Sequence, residues 1–333
     1  MAQLVRRLGM TLPFGDDRLD VLPAVLAKLA AAGYSDAWTS ELAATDAFAP
    51  LLVSALSQPQ LQLGTSIAGV FSRSPALLAM NALAVAELSP HPVHVGVGAS
   101  SKTMVEGWHG AQFVKPFERV RDTVRFLRLA FTGERVSYRG DTFSIDGFRL
   151  DRAPERRPRV LVAALRERML RLAGQEADGV ILNWLSPADV ARVVPYVLDH
   201  NPGGDVVARL FVVAGDDVAF ARDAARRHVT AYLNTGVYAA YQQWLGRGPA
   251  LEAMWQAWRA GDRAAALAAV PESVVDELFI TGDADAVWSR TREYVAAGVT
   301  VPVLSIGGPR DVAWELAIQL GQRFAAESAA VPQ

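Results

Sequence analysis

Residues 7–39, RLGMTLPFGDDRLDVLPAVLAKLAAAGYSDAWT, contain one complete strand–helix–strand unit. Residues 7–12 are short and apolar enough for a strand, and 13–17 (PFGDD) supply its turn. Leu19, Leu22, Leu26 and Leu29 then recur at helical spacing as far as Gly33, a fitting helix stop. Residues 35–39 predict the next strand, directly after that stop.

The same unit repeats outward from this stretch. Beyond a polar stretch at 40–46, a helix at 48–57 leads to a strand at 61–67. Ser74-Pro75 opens the next helix, with proline suited to the first turn. Strand four falls at 93–97, and 117–131 is a long amphipathic helix. Alternation around Arg139-Gly140-Asp141 then breaks the rhythm and predicts an inserted β-hairpin near 134–150. Strands at 160–163, 179–182, 208–213 and 301–306 follow, with helices at 168–176, 188–198, 218–233 and 314–324. A helical excursion near 235–277 separates the last two strands. Eight β-to-α steps predict an α/β protein, one (β/α)8 TIM barrel domain over 1–333 carrying both insertions. An open dinucleotide-binding sheet needs a glycine fingerprint after an early strand. Gly96-Val97-Gly98 lacks the third glycine, because position 101 is Ser.

Composition narrows the function classes. The 333 residues are 51% hydrophobic and 20% charged, with net charge −2, which disfavours a nucleic-acid partner. No cysteine is present, so thiol nucleophiles, iron–sulfur clusters and cysteine-bound zinc are excluded, and no metal site is expected. No run is long and apolar enough for a membrane span, and the N-terminus lacks a signal-peptide core. A cytoplasmic protein acting on a small molecule is the expectation. The phosphate-loop and Gly-x-Ser-x-Gly patterns are missing as well.

In such a barrel, chemistry belongs at the C-terminal ends of the strands. Those ends read Ser40-Glu41-Leu42, Gly64-Thr65-Ser66-Ile67, Gly98-Ala99-Ser100-Ser101, Ala163-Ala164-Leu165-Arg166 and Asn183-Trp184-Leu185-Ser186. They are small, hydroxylic or amide residues with few charges, a lining suited to a planar heterocycle with a phosphorylated tail. His91 and His94, His200 and His228 read as structural or surface groups. His109, on a loop at the catalytic end, is the histidine placed to touch substrate.

Here the chain resembles a known family. Leu63-Gly64-Thr65-Ser66-Ile67, Arg73-Ser74-Pro75-Ala76, Val95-Gly96-Val97-Gly98, Val105-Glu106-Gly107-Trp108, Gly147-Phe148-Arg149-Leu150, Leu172-Ala173-Gly174 and Ala177-Asp178-Gly179 follow one another as in the luciferase-like flavin and deazaflavin oxidoreductases. Tyr294-Val295 with Ala297-Gly298-Val299 continues the likeness to the end. Ser40-Glu41, Asp46-Ala47-Phe48 and Asn183-Trp184-Leu185-Ser186 carry the closer similarity, to the coenzyme F420-dependent branch.

The resemblance implies hydride transfer between coenzyme F420 and a small organic substrate. It implies a non-prolyl cis peptide at Ser66–Ile67 behind the deazaflavin ring, with Gly98, Ala99 and Ser100 at the ring and ribityl portion. Ala163, Leu165 and Arg166 match the phosphate-binding turn at a helix N-terminus. The family's usual Gly-Gly-Pro is Leu165-Arg166-Glu167 here, which offers Arg166 and Arg168 as phosphate partners. Ser40 and Asn183 complete the cofactor set. Alcohol and sugar-phosphate dehydrogenases of the class carry Asp-His after strand two; this chain has Glu41-Leu42. Reduction of an activated double bond or similar acceptor fits that departure better, with Glu41 or bound water giving the proton and His109 beside it. Tyr238 and Tyr241 are expected on a substrate lid made by 235–277, although Leu251, Met254, Trp255 and Trp258 also form an ordinary buried helical stripe. A homodimer through the outer helices of the second and third repeats is implied. Two alternatives stay open: an FMN-dependent monooxygenase on the same barrel, and a non-catalytic cofactor-binding barrel.

Overall fold

The computed structural model describes residues 4–14, 18–43, 45–215 and 217–330. Twelve strands occur among them: β1 (Gly9–Leu12), β2 (Asp36–Thr39), β3 (Gln62–Thr65), β4 (Ala68–Gly69), β5 (His94–Gly98), β6 (Val136–Arg139), β7 (Ser144–Phe148), β8 (Arg159–Ala163), β9 (Gly179–Leu182), β10 (Asp205–Val213), β11 (Phe279–Thr281) and β12 (Val301–Gly307). Eight of these pair in parallel in the order β1, β2, β3, β5, β8, β9, β10, β12, and β12 returns to β1. The barrel is closed, as the eightfold repeat predicts.

Helix Leu22–Ala32 ends at Gly33 with φ 113°, a left-handed stop that favours glycine. Pro75 opens its helix behind Ser74, whose hydroxyl accepts from the Leu77 amide. The turn expected at 13–17 lies partly outside the described residues, and so does part of 40–46. The hairpin β6–β7 sits outside the barrel as expected. It docks on the helix Pro116–Ala130 through Asp122, which accepts from the Thr142 amide at 2.9 Å and its hydroxyl at 2.8 Å.

Two elements depart from the sequence reading. The stretch after Ser100 contains a short helix, Lys102–Gly107, capped by the Ser101 hydroxyl. The excursion resolves into four helices, Gly236–Trp244, Gly248–Arg259, Arg263–Ala268 and Glu272–Leu278, and then returns through β11. β9 pairs with the lower part of β10, and β11 pairs with its upper part at Phe211–Val213. Three residues are too few to display alternation, which is why β11 was illegible in the sequence.

The barrel interior is layered. At the N-terminal end, the first residues of four strands, Asp36, His94, Arg159 and Asp205, form an ionic layer with Arg7. Arg7 pairs with Asp36, and Asp205 contacts Arg159 at 3.1 Å, His94 at 3.3 Å and Arg7 at 3.7 Å. Above them Trp38 is wholly buried with Leu161, Ile181, Val207, Val301 and Val303. Trp38 fits because its flanking strands carry glycine. A Cβ at Gly64 would lie 2.4 Å from the indole, and one at Gly9 would lie 2.9 Å away. This tryptophan layer plugs the barrel and fixes the depth of everything above it.

Candidate active site

Above the plug, β3 runs into a bulge before β4. The Ser66–Ile67 peptide is cis, as the resemblance implies. The end of β2 clamps this bulge. The Ser66 amide donates to the Thr39 carbonyl at 2.6 Å, the Ser40 hydroxyl donates to the Ser66 carbonyl at 3.1 Å, and the Glu41 amide reaches the Ile67 carbonyl. On the other side the Thr65 hydroxyl donates to the Gly96 carbonyl at 2.8 Å. Gly96 has no alternative residue, since a Cβ there would meet the Thr65 oxygen at 2.0 Å.

The half-buried Ile67 side chain faces Gly98 and Ala163, within 3.0 and 3.1 Å of where a Gly98 Cβ would stand. Ile67, Gly98 and Ala163 therefore make one shallow apolar surface across β3, β5 and β8. Ser100 continues it with φ 61°, and Asn183 lies past the end of β9, its Oδ1 buried without a hydrogen-bond partner. Ser40, Ser66, Ile67, Gly98, Ala99, Ser100, Ala163, Leu165, Arg166 and Asn183 thus occupy the mouth ends of five consecutive barrel strands. Arg166 is exposed at the N-cap of helix Glu167–Glu176. Arg168, by contrast, pairs with Glu118 at 3.0 Å and stacks on Phe117, so it is already engaged.

Glu41 and His109 meet at a small cleft of about 20 Å³ shared with Ile67, Ser72, Ser100 and Met104. That volume holds about one water molecule. Glu41 is fully occupied as an acceptor. Arg73 pairs with Oε1, while the Gly69 amide and the Ser72 hydroxyl donate to Oε2 at 2.8 and 3.1 Å. All three contacts come from donors of the bulge and the turn after it, so both carboxylate oxygens are committed to holding that turn, whereas the sequence reading expected Glu41 to give the proton. His109 is exposed on the loop after Lys102–Gly107.

A larger cavity of about 400 Å³ opens over the other side of the mouth, at the ends of β1, β2, β10 and β12. Leu12, Phe14, Phe211, Tyr232, Phe279 and Ile306 give it apolar walls, and Thr11, Arg209 and Ser305 add polar groups. Trp184 backs this wall, with its ring 4.5 Å from Phe211 and 5.2 Å from Tyr232.

A family model described as luciferase-like monooxygenase matches residues 6–301. The chain belongs to that family. Among its relatives, a Mycobacterium tuberculosis protein assigned to the coenzyme F420-dependent oxidoreductases is 27% identical, over 84% of this chain and 89% of its own length. A 5,10-methylenetetrahydromethanopterin reductase of Archaeoglobus fulgidus is 28% identical, over 80% and 84%. Among solved structures, an F420-dependent secondary alcohol dehydrogenase in complex with an F420–acetone adduct superposes with a TM-score of 0.79. It covers 98% of this chain and 99% of its own at 16% identity, a likeness of fold.

Within this luciferase-like barrel, the pocket tyrosines expected from the sequence need correction. Tyr241 is wholly buried and lines neither cavity at the mouth; its ring stacks on Trp244 inside the helical excursion. Tyr238 stands behind the wall, edge-on to Trp184 at 6.3 Å. The excursion is bolted down rather than free-standing. Arg247, itself buried, pairs with Asp189 and with Glu277 at 2.7 Å, and Gln242 donates to the Trp184 carbonyl at 2.9 Å. The segment supplies backing to the pocket, while Tyr232, on the helix Val218–Leu233 before it, and Phe279, on β11 after it, supply the wall. Arg209, Phe211 and Ser305 went unread because they sit inside strands, where only the inward alternation 205, 207, 209, 211, 213 distinguishes them.

Proposed function

We propose that this luciferase-like chain is a coenzyme F420-dependent oxidoreductase that reduces an activated double bond or similar acceptor on a small organic molecule. The observation that carries the reading is the two-sided mouth. Its five consecutive strand ends are small and hydroxylic, and an aromatic cavity faces them. The Mycobacterium tuberculosis relative assigned to F420 chemistry points the same way.

The residues present fit the group. The apolar surface of Ile67, Gly98 and Ala163 suits the face of a planar heterocycle, and the orphaned Asn183 Oδ1 suits a ring N–H. Ser40, Ser66, Ala99 and Ser100 would border the ring and ribityl chain; Leu165 and Arg166 would meet the phosphate with the helix amides. When bound, the deazaflavin supplies a hydride from carbon. The protein's part is to hold both partners and deliver a proton. Glu41 keeps Gly69, Ser72 and Arg73 in place around the bulge, a positioning role. His109 shares its cleft and delivers the proton directly or through the one water that the cleft accommodates. The apolar walls around Phe211, Tyr232 and Phe279 exclude bulk water from the acceptor.

The reading includes a single-domain cytoplasmic enzyme working as a homodimer. Leu56, Leu77 and Met80 are exposed on the helices Ala49–Ser57 and Pro75–Ala86, the outer helices of the second and third repeats, and support that face as the contact. A screen of unsaturated acceptors with reduced F420, following cofactor oxidation, tests the reaction class. Turnover of alkenes or imines without turnover of secondary alcohols is expected; oxidation of alcohols alone would overturn it.

A further inference from the structure

Arg209 is the polar centre of the large cavity, and its surroundings are unusual for a half-buried cation. It lies at an inward position of β10 and lines the pocket. One Nη2 donates to the Ser305 hydroxyl at 3.1 Å, and the guanidinium stands 5.1 Å over the Phe211 ring. Its Nε is buried without a hydrogen-bond partner. No carboxylate among the described residues pairs with it, whereas the partly buried Arg7 and Arg73 and the buried Arg247 each have one. The Thr11 hydroxyl, in the same pocket, is also buried and without a partner. Burial pulls the guanidinium below its ordinary pKa. Partly burying an unpaired cation costs stability, a cost that an anion from outside would offset.

We propose that Arg209, with Ser305 and Thr11, is a binding subsite for a carboxylate, and that the substrate is an unsaturated or aromatic carboxylic acid. The naming of the anion as the substrate's rests on the oxidoreductase reading above. Barrel order supports it: β10 lies four strands from β3 in either direction, so Arg209 stands across the mouth from the Ile67 surface. A guanidinium matches a planar carboxylate with two parallel N–H donors, and Nε with an Nη is the usual pair. The rest of the acid would rest on Phe211, Tyr232 and Phe279, with its unsaturated carbons directed toward the facing arc.

The same chemistry, an anion, could belong to the cofactor instead, and the test separates the two sources. Isothermal titration of the purified protein with benzoate, and with benzamide as its neutral isostere, reads the subsite without turnover. Benzoate is expected to bind at least about tenfold more tightly than benzamide. Arg209→Gln should abolish that preference, Ser305→Ala should reduce it, and F420 affinity should stay unchanged in both. Equal binding of benzoate and benzamide to the unaltered protein overturns the subsite, and this comparison needs no variant to fold. Undiminished benzoate binding by R209Q overturns it too. A parallel loss of F420 affinity in R209Q assigns the anion to the cofactor and overturns the substrate class. Arg209-dependent benzoate binding in a protein that does not bind F420 upholds the subsite and overturns the cofactor reading instead.

Discussion

Arg73 and Glu41 form a half-buried ion pair whose carboxylate also accepts from the Gly69 amide and the Ser72 hydroxyl. Three segments, the ends of β2 and β4 and the turn before Ser74, are tied together by one acidic side chain. Glu41 lines the same cleft as His109, and in the proposed reading the two divide the work, Glu41 positioning the bulge and His109 delivering the proton.

That division predicts opposite behaviour in two variants. Glu41→Gln keeps the shape but removes the charge facing Arg73, and should lower unfolding free energy by roughly 1–3 kcal/mol. Its loss of turnover should follow weaker cofactor binding. His109→Ala should leave stability and cofactor affinity intact while turnover falls by about 10²-fold. Denaturant melts and steady-state kinetics on both proteins check the pattern; a large drop in kcat for E41Q with unaltered stability would return the proton to Glu41.

The tryptophan plug predicts a steric conflict. Gly64→Ala drives a methyl into the Trp38 ring, so it should destabilise by about 1–3 kcal/mol. Trp38→Leu in the same chain should recover part of that loss, because the two changes act on one space. Urea midpoints of the two single variants and the double variant give the coupling. Simple additivity would contradict the packing described.

The ionic layer at the barrel's other end predicts a pH dependence. Burial works against ionising Asp205, but His94, Arg159 and Arg7 outweigh it and hold the carboxyl below its ordinary value. A depressed folded pKa contributes stability that is complete above the unfolded value of about 3.9 and is lost as pH falls through the folded one. Asp205→Asn should therefore cost about 3 kcal/mol at neutral pH. The gap to the unaltered protein should close as pH drops below about 4. Thermal melts across that window decide it, and a gap constant with pH would refute the assignment.

Most of the barrel was legible because its signals are local. Gly33 ends a leucine-spaced helix, Ser74-Pro75 starts one, and Arg139-Gly140-Asp141 turns a hairpin, each within a few residues. The strand ends proposed to hold the cofactor were legible as strand ends for the same reason, since they lie next to turn residues. What stayed hidden depends on distant partners. Glu41 reads as an acid until Arg73 and Ser72 are brought to it from more than thirty residues away. Tyr241 reads as a pocket tyrosine until the Arg247–Asp189 bolt turns its helix inward. Arg209 is a charge inside a strand, visible as a pocket residue only when β10 closes the barrel beside β12.

The exposed Leu56, Leu77 and Met80 predict that Met80→Glu loosens self-association. Light scattering should return twice the 35.9 kDa chain mass for the unaltered protein and the single mass for M80E. A monomer from the start would remove the dimer.

In the function proposed, the small-residue arc selects deazaflavin over flavin. Paired fluorescence titrations of the unaltered protein with F420 and with FMN test it most directly. F420 should bind at least about tenfold more tightly than FMN, and Ser66→Trp, which fills the arc, should abolish its binding. Preferential binding of FMN would contradict the account and make the chain a flavin monooxygenase component.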